Sequence, residues 1–464
     1  MLSQEPTLED LVQISPQTDV ERSTIRKITL RIVPFLGLMY FVNYLDRTNI
    51  GFAKLSMSTD LDLTETMFGL ASGLFFIGYL LLEVPSNLAL NRFGARRWIA
   101  RIMVTWGIVA TAMAFVNSAT TLYWLRILLG AAEAGFFPGI MLYLTWWLPR
   151  RDRVRIIAAF LIALPLSSAL GAPISAALIQ FTNGALGLEG WRWMFLLEGL
   201  PAVVLGVVCW FYLTDRPKDA KWLTEPEKTW LIDQLNAEQQ TGAGKKEHSV
   251  LKAMTNIRVI GLGLVYFGVV YGLYALSFYL PTVVAGFAKQ FGTTFSIFQS
   301  GLIVAIPFFI GGVAMVLWGF HSDRTGERRW HLVAPIILGG VSIPVALYLN
   351  SPLAVMATIS LTAIGIYCAL PVFWHFPPLL LGGAGAAAGI ALINTLGNTA
   401  GFAAPFITGW LADATGGFQA GMWAVGIFML LSAGVAAVLA RKAVEIGEPE
   451  SPSAHQFGKA VTEG

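Results

Sequence analysis

Charge is what this sequence has least of. Only 13% of its 464 residues are Asp, Glu, Lys or Arg, where a soluble domain carries roughly 25%. With 55% hydrophobic residues and a mean hydropathy of +0.64, that deficit excludes a soluble fold for the bulk of the chain. Cysteine is scarce as well. Cys209 and Cys368 each lie inside an apolar run and read as small buried residues, not as a disulfide or a metal pair. The histidines, His248, His321, His331, His375 and His455, are scattered, and only His375 adjoins an apolar run. An intramembrane enzyme would want a Ser, Cys or His constellation, or metal-ligand spacing among His and Asp, and neither is present. No enzyme activity, metal or cofactor is therefore expected. The net charge of +3 gives no reason to expect a nucleic-acid partner. The N-terminus is polar and acidic without a cleavage pattern, so the first apolar run is expected to be retained.

What is present is a series of apolar windows of about 20 residues, the length that crosses a bilayer as a helix. Twelve are expected: 32–52, 66–90, 98–116, 120–146, 156–181 and 193–213, then 258–284, 296–320, 331–349, 353–374, 386–411 and 420–440. The fold class is thus all-α and polytopic, with a lipid bilayer as partner. Basic residues test the assignment. Arg22, Arg26, Lys27 and Arg31, then Arg92, Arg96, Arg97 and Arg101, then Arg150, Arg151, Arg153 and Arg155 fall on one side, as do the 214–258 loop, Arg324, Arg328, Arg329 and the C-terminal segment. The other side holds Lys54, Arg192 and Lys289. The positive-inside rule then puts both termini and the long loop in the cytoplasm.

That loop divides the chain into a tail over 1–31, a six-helix half over 32–213, a linker over 214–257, a second half over 258–440 and a tail over 441–464. Thr224 and Glu227 have capping-box spacing, so a short helix is expected with Trp230, Leu231 and Leu235 on one side. Residues 241–249, rich in Gly and Lys, read as a flexible linker. The halves also repeat. Asn91-Arg92-Phe93-Gly94-Ala95-Arg96-Arg97-Trp98 aligns with Asp323-Arg324-Thr325-Gly326-Glu327-Arg328-Arg329-Trp330 at a separation of 232 positions, and the same separation carries Pro173 onto Pro405. Two six-helix halves inserted the same way round follow, a recurring transporter plan.

Against this apolar background, charges at mid-span depth stand out. Asp46 and Arg47 lie side by side in the first window, and each such residue at a helix centre costs about 2.5–3.5 kcal/mol on insertion scales. The fourth window holds Arg126 and Glu133, two turns and about 10.5 Å apart on one face, beside Gly130, Gly135 and Gly139, which permit close helix approach. Two readings are open. The charges could lock helices together, as Asp46 with Arg126 or Arg47 with Glu133, or they could line a polar substrate path. The second is favoured because both sets recur at the same depth. Glu198 and Asp413 are expected to be interface charges, and His375 a helix-end group.

The loop Gly319-Phe320-His321-Ser322-Asp323-Arg324-Thr325-Gly326-Glu327-Arg328-Arg329 closely resembles the signature of the major facilitator superfamily. Asn91 and Asn87 depart from it in the first-half copy, where Glu83 is a candidate substitute. The runs Tyr44–Ala53, Glu83-Val84-Pro85-Ser86-Asn87, Gly130–Gly139 and Ile393–Asn398 resemble the anion:cation symporter branch of that superfamily, and among its members the bacterial tartrate and related carboxylate transporters. The resemblance implies a twelve-helix transporter of small organic anions, often proton-coupled, in the cell inner membrane. It implies that Arg47 and Arg126 meet the anion, with Tyr44, Tyr79, Trp374, Asn394 and Asn398 as further substrate contacts. It makes Asp46 and Glu133 the proton-coupling carboxylates, and Asp323, Arg324, Arg328, Arg92, Arg96 and Glu83 a conformational latch. Residue chemistry agrees independently, since a guanidinium binds carboxylate bidentately and never loses its charge. A monomer is expected. An exchanger, a sodium-coupled carrier and a ligand sensor that does not transport are the alternatives. No stretch reads as an unwound helix lined by carbonyls, which leans the coupling from sodium to protons.

Overall fold

The computed structural model describes residues 19–242, 256–381 and 386–447, which are helices and the turns between them, with no strand among the described residues. Twelve helical segments are long and apolar enough to cross a membrane. In the first half they are Asp19–Asp60, Glu65–Phe93, Ala95–Phe115, Ala119–Thr145, Ala163–Thr182 and Gly190–Tyr212. In the second they are Ile257–Phe291, Ile297–Thr325, Arg329–Tyr348, Pro352–Phe373, Gly389–Thr415 and Gln419–Arg441. Each overlaps one expected window. Their even number brings the described chain ends to one face, called here the basic face because most Lys and Arg lie there.

The first helix begins at Asp19, well before the window expected from 32. The extra turns are amphipathic and dock on the loop helix Glu225–Gly242. Glu227 accepts from Lys27 Nζ at 2.9 Å, Ser23 Oγ at 2.7 Å and its own cap's Thr224 N–H at 2.9 Å. Leu231 is fully buried, and Trp222, just ahead of the helix, stacks on Trp147. The expected amphipathic helix thus covers the helix ends of the first half. The expected linker falls, from 243 on, outside the described residues.

Burial alone would raise the Glu227 carboxyl, but those hydrogen bonds outweigh it and hold it at about 2. A carboxylate held below its ordinary 4.5 stabilises the docked helix fully above that pH, and the contribution fades as pH falls towards 2. Glu227→Gln therefore speeds amide exchange in residues 225–238 at neutral pH and not at pH 2, measured by hydrogen–deuterium exchange.

The repeat is visible as geometry. Gly94 and Gly326, 232 positions apart, both take a left-handed φ, 87° and 71°, at the matching turns. Gly69 lies against the Pro405 carbonyl, and its counterpart Gly301 lies 3.1 Å, by an added Cβ, from Pro173 Cα. The same small-residue contact thus joins the second span to the eleventh and the eighth to the fifth. Along the second and eleventh spans the seam runs through Glu65 and Thr66, whose amides donate to Asp413 at 3.2 and 2.8 Å, then Gly73 against Phe402 and Gly401 against Phe76. It reaches Glu83, which accepts from Asn394 at 3.1 Å. Asp413 is thereby an interface charge, as expected.

Glu83, expected as a latch partner for Arg92, faces the eleventh span in this structure. The carboxylate missing at Asn91 is supplied instead by Asp215 at the end of the sixth span. Asp215 accepts from the Arg96 N–H at 2.8 Å and lies 3.8 Å from its side chain. In the second half Asp323 pairs with Arg328 at 2.7 Å within the loop itself. Arg92 and Arg324 are exposed there.

Candidate functional site

Three close backbone approaches assemble the centre. Gly130 on the fourth span meets the Phe75 carbonyl, and Gly78 on the second meets the Ile127 carbonyl, so these two helices pack main chain to main chain. Gly51 on the first span would bring an added Cβ within 2.9 Å of the Phe278 carbonyl, joining the first span to the seventh. One turn back from that contact lie Arg47 and Tyr274. The fourth span then breaks directly after Glu133, at Ala134 and Gly135. Gly135 has φ 83° and abuts the Ser86 side chain, so only glycine serves there. The first span runs on through Asn49, which keeps helical angles and donates its N–H to the Leu45 carbonyl at 3.0 Å. The break in the fourth span is a backbone feature that composition alone cannot reveal.

Arg47 forms its ion pair with Glu133. It also donates to the Tyr274 hydroxyl at 3.3 Å and sits 5.2 Å over the rings of both Phe75 and Tyr79. Arg47 Nε and Glu133 Oε2 are buried without partners. One of the two helix-locking pairs weighed from sequence is therefore real, but it sits at the junction of the halves, with Tyr274 contributed by the second. Tyr79 lines the same spot, stacked on Phe75. From the second half, Tyr266 stacks on Phe373 at 5.1 Å and meets Trp374 edge-on at 5.0 Å. Asn394 joins through Glu83, and Asn398 is half-buried one turn further along. The Tyr44 hydroxyl is buried and unpartnered beside Tyr40.

Two expected site residues lie elsewhere. Arg126 is fully buried in the first half and donates to the main-chain carbonyls of Ala71 at 3.2 Å and Ser72 at 3.4 Å. It lies 5.0 Å from the Phe75 ring, which Arg47 also approaches at 5.2 Å, with one terminal nitrogen unpartnered. Asp46 points away from Arg47, towards Trp106 and Glu198 inside the first half. Neighbours on a helix diverge by about 100°, so one of the two had to leave the centre. Glu198, expected at an interface, is buried at 2% exposure. Sequence reading missed Tyr40, Tyr266 and Tyr274. The 232-residue repeat could have pointed to the seventh span, since it carries Arg47 onto Tyr279, five residues beyond Tyr274. His375 is exposed at the end of the tenth span, the helix-end position expected of it.

On the face opposite the basic one, Lys54 closes the seam. It is 4% exposed, pairs with Glu65 at 2.6 Å and donates to Thr282 at 3.1 Å. The rings of Phe68, Tyr279 and Phe418 surround its ammonium at 4.8–5.1 Å. Two of these rings and Thr282 belong to the second half. Cation–π contacts of this kind contribute about 1–2 kcal/mol, a 5- to 30-fold change in a two-state population. Lys54→Ala should accordingly raise by about that factor the labelling rate of Phe402→Cys in the seam, read with a membrane-impermeant maleimide.

Twelve spans in two repeated halves, with a charged pair sealed where they meet, define a secondary transporter. The chain belongs to the major facilitator superfamily, whose model matches residues 36–405. A protein of Agrobacterium vitis named "Putative tartrate transporter" is 52% identical over 439 residues, covering 95% of this chain and 100% of that one. "Putative metabolite transport protein NicT" of Pseudomonas putida is 40% identical over 431 residues, covering 92% and 97%. Among solved structures, a bacterial homologue of the human lysosomal transporter Spinster, inward-facing and occupied, superposes with a TM-score of 0.72 at 16% identity, covering 90% of this chain and 98% of that one. That likeness concerns the fold alone.

Proposed function

We propose that this transporter takes up a small dicarboxylate of the tartrate class together with protons, by alternating access in a bacterial inner membrane, as a monomer with both termini cytoplasmic. The observation that carries the reading is the Arg47–Glu133 pair at the junction of the halves, with Tyr274 of the second half on the same guanidinium. Relatives with tartrate in their names, at half identity over nearly the full chain, support the substrate class. The bias of basic residues supports the orientation. In that orientation the seam through Lys54 closes the outer side, and the central site belongs to an inward-facing state.

Coupling follows from one exchange of partners. An entering carboxylate competes with Glu133 for the Arg47 guanidinium, where two parallel hydrogen bonds favour it. Glu133, left in a low-dielectric site without its cation, then favours its neutral form and binds a proton. Substrate and proton thus bind together, and the centre becomes neutral enough to be enclosed. Tyr44, Tyr79, Trp374, Asn394 and Asn398 complete the contacts, with Tyr266 and Tyr274. Asp46 acts at a distance, from within the first half. The loops bearing Arg92, Arg96, Asp323, Arg324 and Arg328 latch the cytoplasmic ends in the opposite state.

Radiolabelled tartrate uptake into proteoliposomes with an alkaline interior tests this. Accumulation above equilibrium, collapsed by a protonophore, is expected. Accumulation driven by a sodium gradient instead, or uptake only against a preloaded anion, or binding without uptake would each overturn proton symport in favour of a named alternative.

A further inference from the structure

One buried carboxylate plays no part in the scheme above. Glu198, eight residues into the sixth span, accepts from Asn49 Nδ2 at 2.8 Å and Ser175 Oγ at 2.7 Å. Both donors are neutral, and no cation pairs with it among the described residues. Among the described residues, another acid, Asp46, lies within electrostatic reach of it, itself 3% exposed with Oδ2 unpartnered. The third span presents Gly107 and Thr111 to the neighbouring Gly199, and the fifth presents Ser175, so no base approaches from either. Two carboxylates so enclosed are poorly able to ionise together, and a proton shared between them relieves the repulsion.

A second observation points to how that proton arrives. A cavity of about 10 Å³, room for roughly one water, is lined by Thr48, Asn49, Ser168 and Ser175 of the first half and Ser277 of the second. Asn49 and Ser175 are the two residues that hold Glu198. Asn49 Oδ1 is buried and has no protein partner, although Asn49 lines this cavity. A water there would satisfy it and connect the hydroxyls to Glu198. Because its walls come from both halves, the cavity is enclosed while they meet and opens when they part.

We propose that Glu198 and Asp46 form a second proton site, loaded from water through the hydroxyl-bearing side of this cavity and exposed only when the halves separate. A proton passes from a hydronium ion to a Glu198 oxygen, leaving water. Asp46 makes no hydrogen bond to Glu198, so an intervening water carries the proton on, giving one proton to an Asp46 oxygen as it takes another from Glu198, with the negative charge returning to Glu198. The proposal rests on proton coupling as argued above and extends it from the anion site to the rear of the first half.

The site is testable without knowing the substrate. Infrared difference spectra of the purified full chain between acidic and alkaline buffer should contain a protonated-carboxyl band that disappears in Glu198→Gln. The band should shift in frequency in Ser175→Ala, which keeps the carboxylate and removes one hydrogen bond. Spectra unchanged in both variants would overturn the proposal. The Ser175→Ala arm stands if Glu198→Gln does not fold. In proteoliposomes, Glu198→Gln should lose about tenfold or more in pH-driven tartrate accumulation while counterflow stays within about twofold of the wild type. Undiminished accumulation would again overturn it. Failure of the wild type itself to accumulate tartrate on a pH gradient would count against proton symport, and the infrared result would stand apart from it.

Discussion

Replacing Arg47 by Gln should lower tartrate binding and uptake by about 30- to 5000-fold, because truncating one side of a buried charged contact costs about 2–5 kcal/mol. Arg47 is the guanidinium at the junction of the halves, touching Glu133, Tyr274 and two rings at once. Arg47→Lys should fall in the same range. An ammonium cannot present two parallel donors to a carboxylate, nor lie flat over Phe75 and Tyr79. Neither variant should unfold the protein, since Glu133 can take a proton once its partner is gone. Binding by calorimetry and uptake in proteoliposomes measure the loss. Arg126, two of whose nitrogens donate to the Ala71 and Ser72 carbonyls, should behave differently. Arg126→Gln should lower thermal stability as well as transport, because the two hydrogen bonds that tie the fourth span to the second are lost.

Glu133→Gln should separate exchange from accumulation. The amide keeps the size of the side chain and cannot titrate, so Arg47 is free for the anion at every pH. Counterflow should persist, and pH-driven accumulation should vanish. The sign of the pH effect follows from the partner exchange. If Glu133 gains a proton when substrate takes Arg47, affinity rises as pH falls, by up to about tenfold per pH unit for one linked proton. In Glu133→Gln that slope flattens. A steep slope surviving in the variant would move the coupling elsewhere, to the Asp46–Glu198 pair.

The fold was legible because its signals are coarse and redundant. Twelve apolar windows, one-sided Lys and Arg, and a loop repeated at 232 positions each point to the same architecture, and Gly94 and Gly326 share a positive φ at the matching turns. The charged centre was partly legible. Arg47 and Glu133 were both singled out, and their pairing was one of two weighed. What composition could not supply was rotation. A helix apolar all round gives no amphipathic stripe to set its angle, so Asp46 and Arg47 could not be told apart until the Gly51–Phe278 contact fixed the first span. The contact that Glu83 makes was hidden for a related reason. Its nearness in sequence to Arg92 suggested the loop, while the side chain faces Asn394 across the seam. Tyr266 and Tyr274 passed unnoticed because aromatic residues are abundant and only stacking distinguishes them. Asp215 was hidden by distance in sequence, being more than a hundred residues from the Arg96 amide that it receives.

The most direct measurement of the central claim is the number of protons taken up when substrate binds. Calorimetric titration of tartrate into the purified protein, repeated in buffers of different ionisation enthalpy, gives that number without membranes or gradients. An uptake approaching about one proton per tartrate by the wild type, and near zero by Glu133→Gln, is the predicted result. Binding with no proton uptake by the wild type, or with the same uptake by the variant, would contradict the exchange of partners at Arg47.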